Sequence, residues 1–235
     1  MNAEKSAAVL EATNRELEGF VSAVSHDLRA PLNSIQGFAC ILINEYGLQM
    51  DADARSCLAQ IQRSAVQMNG KLEALLRLSR IGQQDLEKSR VDLGRLAVGI
   101  VQRLRDQEPG RDVECVIQQP LIAVGDEALL EIALGNLFEN AWKFTGRTPH
   151  PRIELSADPR PGPISYRLSD NGVGIDESQM SRLFQPFQRL HRQKDYPGIG
   201  IGLFSAQRII ARHGGRIWAE RNRGSGMSFC FTLGG

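Results

Sequence analysis

Apolar residues recur at intervals of three and four between Leu10 and Leu42: Leu17, Phe20 or Val21, Val24, Leu28, Leu32, Ile35, Ala39 and Leu42. Such a stripe predicts one long amphipathic helix packed along its length. Residues 46 to 53, YGLQMDAD, interrupt it with Gly47 and then offer Asp51 or Asp53 as the N-cap of a second helix. In that helix Leu58, Ile61, Ala65, Met68, Leu72 and Leu75 follow a 3-4-3-4-3 spacing, the a/d seam of a left-handed bundle. Two helices joined by a short turn form an antiparallel hairpin whose stripes are too narrow to make a core alone. The pattern therefore predicts a dimer in which two hairpins close a four-helix bundle.

The seam fades over residues 82 to 92, GQQDLEKSRVD, which places a domain boundary between a hairpin of residues 1–88 and a second domain of residues 89–235. Beyond it Leu93 to Leu104 reads as a helix, and Val113, Cys115 and Ile117 alternate as a strand. Asp126 to Phe144 reads as another helix, with Leu130, Leu134, Leu137, Ala141 and Phe144 on one face. Further strands are predicted at Ile153 to Ala157, Ser165 to Leu168, Ile217 to Glu220 and Met227 to Leu233. A helix from Leu203 to Arg212 lies among them, and Arg160 to Pro163 marks a turn between strands. The expected class is α+β: the helical hairpin followed by a two-layer α/β sandwich with one sheet face under helices and the other open to solvent.

Composition narrows the function. The 235 residues suit two domains of ordinary size or one large one, and 28 Lys and Arg nearly balance 27 Asp and Glu. No strong field draws nucleic acid, so no nucleic-acid partner is expected. No apolar run of about 18 residues can span a bilayer, and Met1 is not followed by a signal peptide, so a soluble, cytoplasmic chain is expected. Cys40, Cys57, Cys115 and Cys230 are far apart, with no CxxC pair, and read as buried reduced thiols.

Several residues can carry chemistry. His26 lies two residues from the stripe position Val24, about 200° around the helix, and so points away from the core. Its neutral imidazole is a competent nucleophile near pH 7, although a lone exposed histidine, like its neighbour Asp27, is ordinarily just solvated. Pro31 cannot donate to the Asp27 carbonyl, which predicts a kink. Asn136, Asn140 and Lys143 share one helix face; amide oxygens suit Mg²⁺ and a lysine suits a phosphate. Asp170 opens DNGVGI after a predicted strand, where Gly172 and Gly174 let the backbone approach a planar ligand and the carboxylate can accept from an exocyclic amine. Gly198, Gly200 and Gly202 alternate just before a helix, offering backbone amides to phosphate, and their GxGxG order disfavours Rossmann binding. Between these motifs HRQKDYP reads as a polar lid, with Arg189 a candidate phosphate contact and Phe184 and Phe187 its anchors.

Taken in order, SHDLRAPLNSIQGF, NLFENAWKF, DNGVGID, LFQPFQRL and GIGIGL resemble the phospho-accepting helix and ATP-binding domain of a sensor histidine kinase. QRLH, YPGIGIGL and HGGRIWAE resemble its phytochrome-like branch. The resemblance implies a homodimer that binds Mg-ATP in its C-terminal domain, autophosphorylates His26 and passes the phosphoryl group to the aspartate of a response-regulator receiver domain. It assigns Asp27 as the hydrogen-bond acceptor and base beside His26, and Asn140 with Asn136 as the Mg²⁺ ligands. Lys143 and Arg189 go to the phosphates, and Asp170 reads the adenine amino group. Two positions depart from the family: Ile199 where Thr or Ser is frequent, and Ala30 where members that also dephosphorylate their partner carry Thr or Asn. Kinase activity with poor phosphatase activity is the expectation. Residues 1 to 20 read as a continuing input helix, with the sensor domain outside this chain. An ATPase of the same superfamily would explain the nucleotide motifs and leave HDLRAP unexplained. A non-catalytic nucleotide-binding dimeric scaffold regulating a partner kinase would leave the retention of His26, Asn140, Asp170 and the three glycines unexplained.

Overall fold

The computed structural model describes residues 24–25, 27–83, 85–157, 164–190, 196 and 198–234. The chain divides into two units, Met1–Gln84 and Asp85–Gly235. In the first, helix α1 (27–46) and helix α2 (Ala52–Gln83) flank a turn. Of the two caps offered by the sequence the structure uses Asp51, whose Oδ1 accepts from the Ala54 amide at 2.7 Å. Leu32 and Ala39 of α1 and Ala65, Ala74 and Leu78 of α2 are buried. The two helices are also tied by carboxamides: Asn69 Nδ2 donates to Asn33 Oδ1 at 3.1 Å and lies 3.4 Å from Gln36 Oε1. Ile35, Phe38, Ile61 and Met68 remain exposed within one chain. The part of the stripe from Leu10 to Val21, the input-helix reading of residues 1 to 20, and His26 lie outside the described residues.

In the second unit, strand β1 (Ser89–Asp92) leads directly into helix α3 (Leu93–Gln107). Asp92 fixes that junction, because its Oδ1 accepts from the amides of Gly94, Arg95 and Leu121 at 2.9, 3.3 and 3.1 Å. These bonds, the one from Leu121 foremost, hold its carboxyl below the usual range. Strand β2 (Glu114–Ile117) follows, and strand β3 (Ile122–Gly125) pairs antiparallel with β1. The sequence pattern predicts neither β1 nor β3.

Helix α4 (Glu127–Phe144) is the centre of the unit. Its Leu130, Leu134, Leu137, Phe138 and Ala141 are buried, and it packs between α3 and helix α5 (Gly202–Arg212). Beneath lies a sheet of order β2-β4-β5-β7-β6, in which β2 and β4 are parallel and the other pairs antiparallel. Its remaining strands are β4 (Arg152–Ala157), β5 (Ser165–Asp170), β6 (Ile217–Arg221) and β7 (Met227–Thr232). Register places Leu155 opposite Leu168 and Leu168 opposite Phe229, a continuous apolar floor. His213 closes the far end of α5: Nδ1 donates to the Ile209 carbonyl at 2.7 Å and Nε2 accepts from the Asp126 amide at 3.0 Å. One neutral tautomer thus joins the C-terminus of α5 to the N-cap of α4.

Three expectations change. The outer sheet face is not open at its centre, because Ser228 and Cys230 are fully buried. Cys230 lies in register with Arg167 and Trp218, and both of these bind Glu220, at 3.1 and 2.8 Å. Long side chains on neighbouring strands cover the small ones. Nor are the cysteines all buried: Cys57 is exposed and Cys40 and Cys115 are partly so, while all four are free thiols. The hairpin stripes are narrow, so a thiol one position off them faces outward. Phe187, expected as an anchor, is instead half exposed with φ of 59°, while Phe184 packs edge-on against Phe229 at 6.5 Å. The turn at Arg160 to Pro163 lies outside the described residues. Among those residues no helix is long and apolar enough to cross a membrane.

Candidate functional site

Asp170 ends β5 and is 5% exposed. Its Oδ1 accepts from the amides of Gly172 and Met227 at 2.8 and 3.4 Å, and among the described residues no hydrogen bond falls on Oδ2. Burial outweighs those bonds and raises its pKa from 3.8 to about 6. A buried carboxylate with one oxygen spare is costly unless something with a donor hydrogen meets it. Gly172 lets the chain after β5 pass close against the end of α4, since a Cβ there would lie 2.6 Å from the Phe144 carbonyl oxygen. Gly174, with φ of 66°, packs beside Gly226.

The wall above is the last turns of α4. Asn136 Nδ2 donates to the Ile132 carbonyl at 2.9 Å, which turns Oδ1 outward, toward the start of α5. A Cβ on Gly202 would meet that oxygen at 2.9 Å. Asn140 Oδ1 lies 3.4 Å from Lys143 Nζ, a long contact. Lys143 Nζ in turn lies 4.3 Å from the Phe144 ring centroid and would touch a Cβ on Gly198 at 3.4 Å. Burial, and then the nearby Arg189 cation, lower the Lys143 pKa, while Glu139 acts in the opposite sense.

The glycine run completes the enclosure. Gly198 and Gly200 have φ of 146° and 80°, and a Cβ on Gly200 would collide with the Gln188 carbonyl oxygen at 2.5 Å. Gly202 begins α5, whose N-cap Ile201 supplies no side chain to the first amides. Amides at that end are left to an anion or to water.

The structure thus gathers Asn140, Lys143, Arg189 and Gly198 at one place, sets Asn136 against Gly202, and puts Asp170 with Gly172 beneath the end of α4. Asp27 is exposed on α1 of the other unit. His191 to Asp195 and Pro197, most of the polar lid, lie outside the described residues. Both site amide oxygens are available to a hard cation. Among the described residues no group of three or more His, Cys, Asp and Glu gathers into a metal site. A hard cation held by two amide oxygens alone would fill the rest of its shell with a ligand's phosphates and water.

Sequence reasoning missed an aromatic element. Tyr196 is 9% exposed, its ring centroid is 5.1 Å from that of Phe144, and the Arg147 guanidinium lies 5.5 Å from it. One signal was present: a tyrosine in a polar stretch immediately before the glycines. Beside it a cavity of about 330 Å³ is lined by Leu104, Arg111, Glu139, Trp142, Lys143 and Tyr196. Arg111 binds the Thr145 hydroxyl at 2.9 Å and the Trp142 carbonyl oxygen, closing the far wall.

Two families match the two units. The His Kinase A (phospho-acceptor) domain matches residues 16–84, and the histidine kinase-, DNA gyrase B- and HSP90-like ATPase matches residues 125–234. The chain belongs to the histidine kinase family. It is 34% identical over 228 residues to cyanobacterial phytochrome B of Nostoc sp., covering 95% of this chain and 30% of that protein. It is 34% identical over 226 residues to the methanogenesis regulatory histidine kinase FilI of Methanothrix harundinacea, covering 95% of this chain and 25% of that one. The chain thus spans between a quarter and a third of the length of these relatives. Full-length ShkA in complex with AMPPNP matches with a TM-score of 0.62 at 26% identity, over 91% of this chain and 45% of ShkA. The catalytic domain of histidine kinase ThkA, at 24% identity and a TM-score of 0.52 over 63% of this chain and 97% of that one, shares the fold. This histidine kinase core thus carries the family's phospho-acceptor and ATPase domains in that order, and its family is one of ATP-binding transferases of two-component systems.

Proposed function

We propose that this histidine kinase core phosphorylates itself on His26 from ATP and passes the phosphoryl group to an aspartate of a response-regulator receiver domain. What carries the reading is the joint placement of a buried carboxylate with a spare oxygen, at Asp170, and a cationic, glycine-lined cleft at Lys143, Arg189 and Gly198. The first suits the adenine amino group and the second the phosphates of one nucleotide.

In this reading Asp170 accepts from the adenine amine and favours ATP over GTP, whose base presents a carbonyl there. Gly172 and Gly174 let the base reach the floor. Lys143 and Arg189 face the phosphate oxygens, joined by the amides of Gly198, Gly200 and Gly202. Asn140 and Asn136 hold Mg²⁺, which supplies charge neutralisation at the phosphates. A ring nitrogen of His26 attacks the γ-phosphorus, forming a P–N bond as the bond to the β,γ-bridging oxygen breaks and ADP leaves. Asp27 accepts the ring's N–H hydrogen bond and stabilises the imidazolium character that develops. In the second step a receiver carboxylate oxygen attacks the same phosphorus, the P–N bond breaks, and His26 returns to neutral imidazole. Exposed Ile35, Phe38, Ile61 and Met68 give the hairpin its dimer surface.

ADP release tests the reading. A kinase that is its own acceptor gives a burst of at most one ADP per chain without a regulator, and continued release once a receiver domain is added. Sustained ADP release without a regulator would instead mark an ATPase, and no release a scaffold.

A further inference from the structure

Tyr196 lies beside the proposed phosphate cleft, and two of its contacts lead to the cations there. The ring is clamped between the Phe144 ring, at 5.1 Å with planes inclined by 49°, and the Arg147 guanidinium at 5.5 Å. Its backbone carbonyl accepts from Arg189 Nη2 at 2.8 Å. Phe144 carries Lys143 Nζ 4.3 Å from its ring centroid. One aromatic pair therefore links both cations of the cleft, with Lys143 lying over Phe144 and Arg189 bonded to the residue packed against Phe144.

Phe144 packed against Tyr196 brings the two cations to one place, with Lys143 Nζ 4.3 Å from the first ring and Arg189 Nη2 2.8 Å from the carbonyl oxygen of the second residue. Like charges do not settle together unaided, so the surrounding structure must hold them. Lys143 is held by α4, whose C-terminal turn is fixed by Thr145 and Arg111. Arg189 belongs to no helix or strand and is held through the Tyr196 carbonyl, whose place depends on the buried ring. Cations fixed in advance meet a polyanion without reorganising, which is where such sites gain discrimination.

We propose that Tyr196 is a positioning residue that sets Arg189 beside Lys143, and that this pairing makes the site select triphosphate over diphosphate and unphosphorylated adenosine. The proposal rests on the ATP reading given above. Tyr196 itself makes no contact with phosphate; it acts through Arg189.

Binding of ATP, ADP and adenosine to the wild-type chain and to Tyr196→Ala, Tyr196→Phe, Arg189→Ala and the Tyr196→Ala/Arg189→Ala double variant, measured by calorimetry with Mg²⁺, tests it. Tyr196→Ala is expected to weaken ATP about tenfold and adenosine less than twofold, the loss of roughly one charge-assisted contact. Tyr196→Phe keeps the ring and the carbonyl and retains most of the preference for ATP. The double variant should be no worse than Arg189→Ala, because both changes remove one interaction. Equal losses for ATP and adenosine in Tyr196→Ala, an unchanged preference, or additive losses in the double variant would each overturn the proposal. Failure of the wild-type chain to bind ATP at all would instead overturn the nucleotide reading on which it rests.

Discussion

Asp170 is the residue at which stability and binding pull apart. Its pKa rises from 3.8 to about 6 on burial, so between those values the folded chain binds more protons than the unfolded one. Stability must then fall as pH rises through that window, with a penalty of order 3 kcal/mol fully present above about 6 and absent below the unfolded pKa. Asp170→Asn keeps an oxygen for the Gly172 and Met227 amides and removes the charge. It should stabilise the second unit near neutral pH by about 1–3 kcal/mol and flatten this pH dependence, as read by denaturant unfolding. The same change should weaken ATP binding ten- to a hundredfold, roughly the worth of a charged hydrogen bond. A variant no more stable than wild type at neutral pH would contradict the buried charge.

A second residue-scale expectation concerns Ala30, exposed on α1 one turn beyond His26. A methyl group cannot orient a water for attack on a phospho-aspartate, so dephosphorylation of the regulator should be slow. Ala30→Thr should raise it and leave self-labelling intact, as measured by phosphate release. The candidate site residues on α4 and in the glycine run were read from their resemblance to family motifs, because asparagine and lysine on an exposed helix face are ordinarily just solvated and spacing alone does not mark them. Tyr196 was not, because its burial depends on Phe144 and Arg147, some fifty residues away in the chain.

At the scale of elements, helices announced themselves by period, and α3, α4 and α5 fall within a few residues of the pattern. The pair β1 and β3 did not, since four-residue strands in a two-stranded sheet carry too little alternation to be read. What positions them is polar: Asp92 caps α3 and also bonds Leu121 just before β3. Asp92→Ala should cost about 1–2 kcal/mol, a cap's ordinary worth at the upper end because three amides share the carboxylate. His213 was also illegible, a buried histidine whose partners lie on two elements. His213→Ala strips the Asp126 amide of its acceptor and opens a cavity, and should cost about 2–4 kcal/mol in thermal unfolding. A change below 1 kcal/mol in either variant would show that these junctions are held by packing alone.

For the whole molecule, part of the narrow stripes read in α1 and α2, Leu28, Ile35, Ile61 and Met68, is left exposed by a single chain, as is Phe38 beside the stripe at 68% exposure. The proposed dimer would bury them, and Phe38→Glu combined with Ile61→Glu should yield monomers in sedimentation. A native-like dimer from that variant would place the interface elsewhere. The proposed function joins the two units, because the proposed nucleotide cleft lies in one and the proposed acceptor, His26, in the other. The direct measurement is the chemistry of the phosphorylated product: incubation with γ-labelled ATP and Mg²⁺, then treatment with acid or base, for the wild-type chain and for His26→Gln. Phosphorylation of His26 predicts a label lost in acid and kept in base, absent from His26→Gln although that variant still binds ATP. An acid-stable label, or an acid-labile label that persists in His26→Gln, would contradict it.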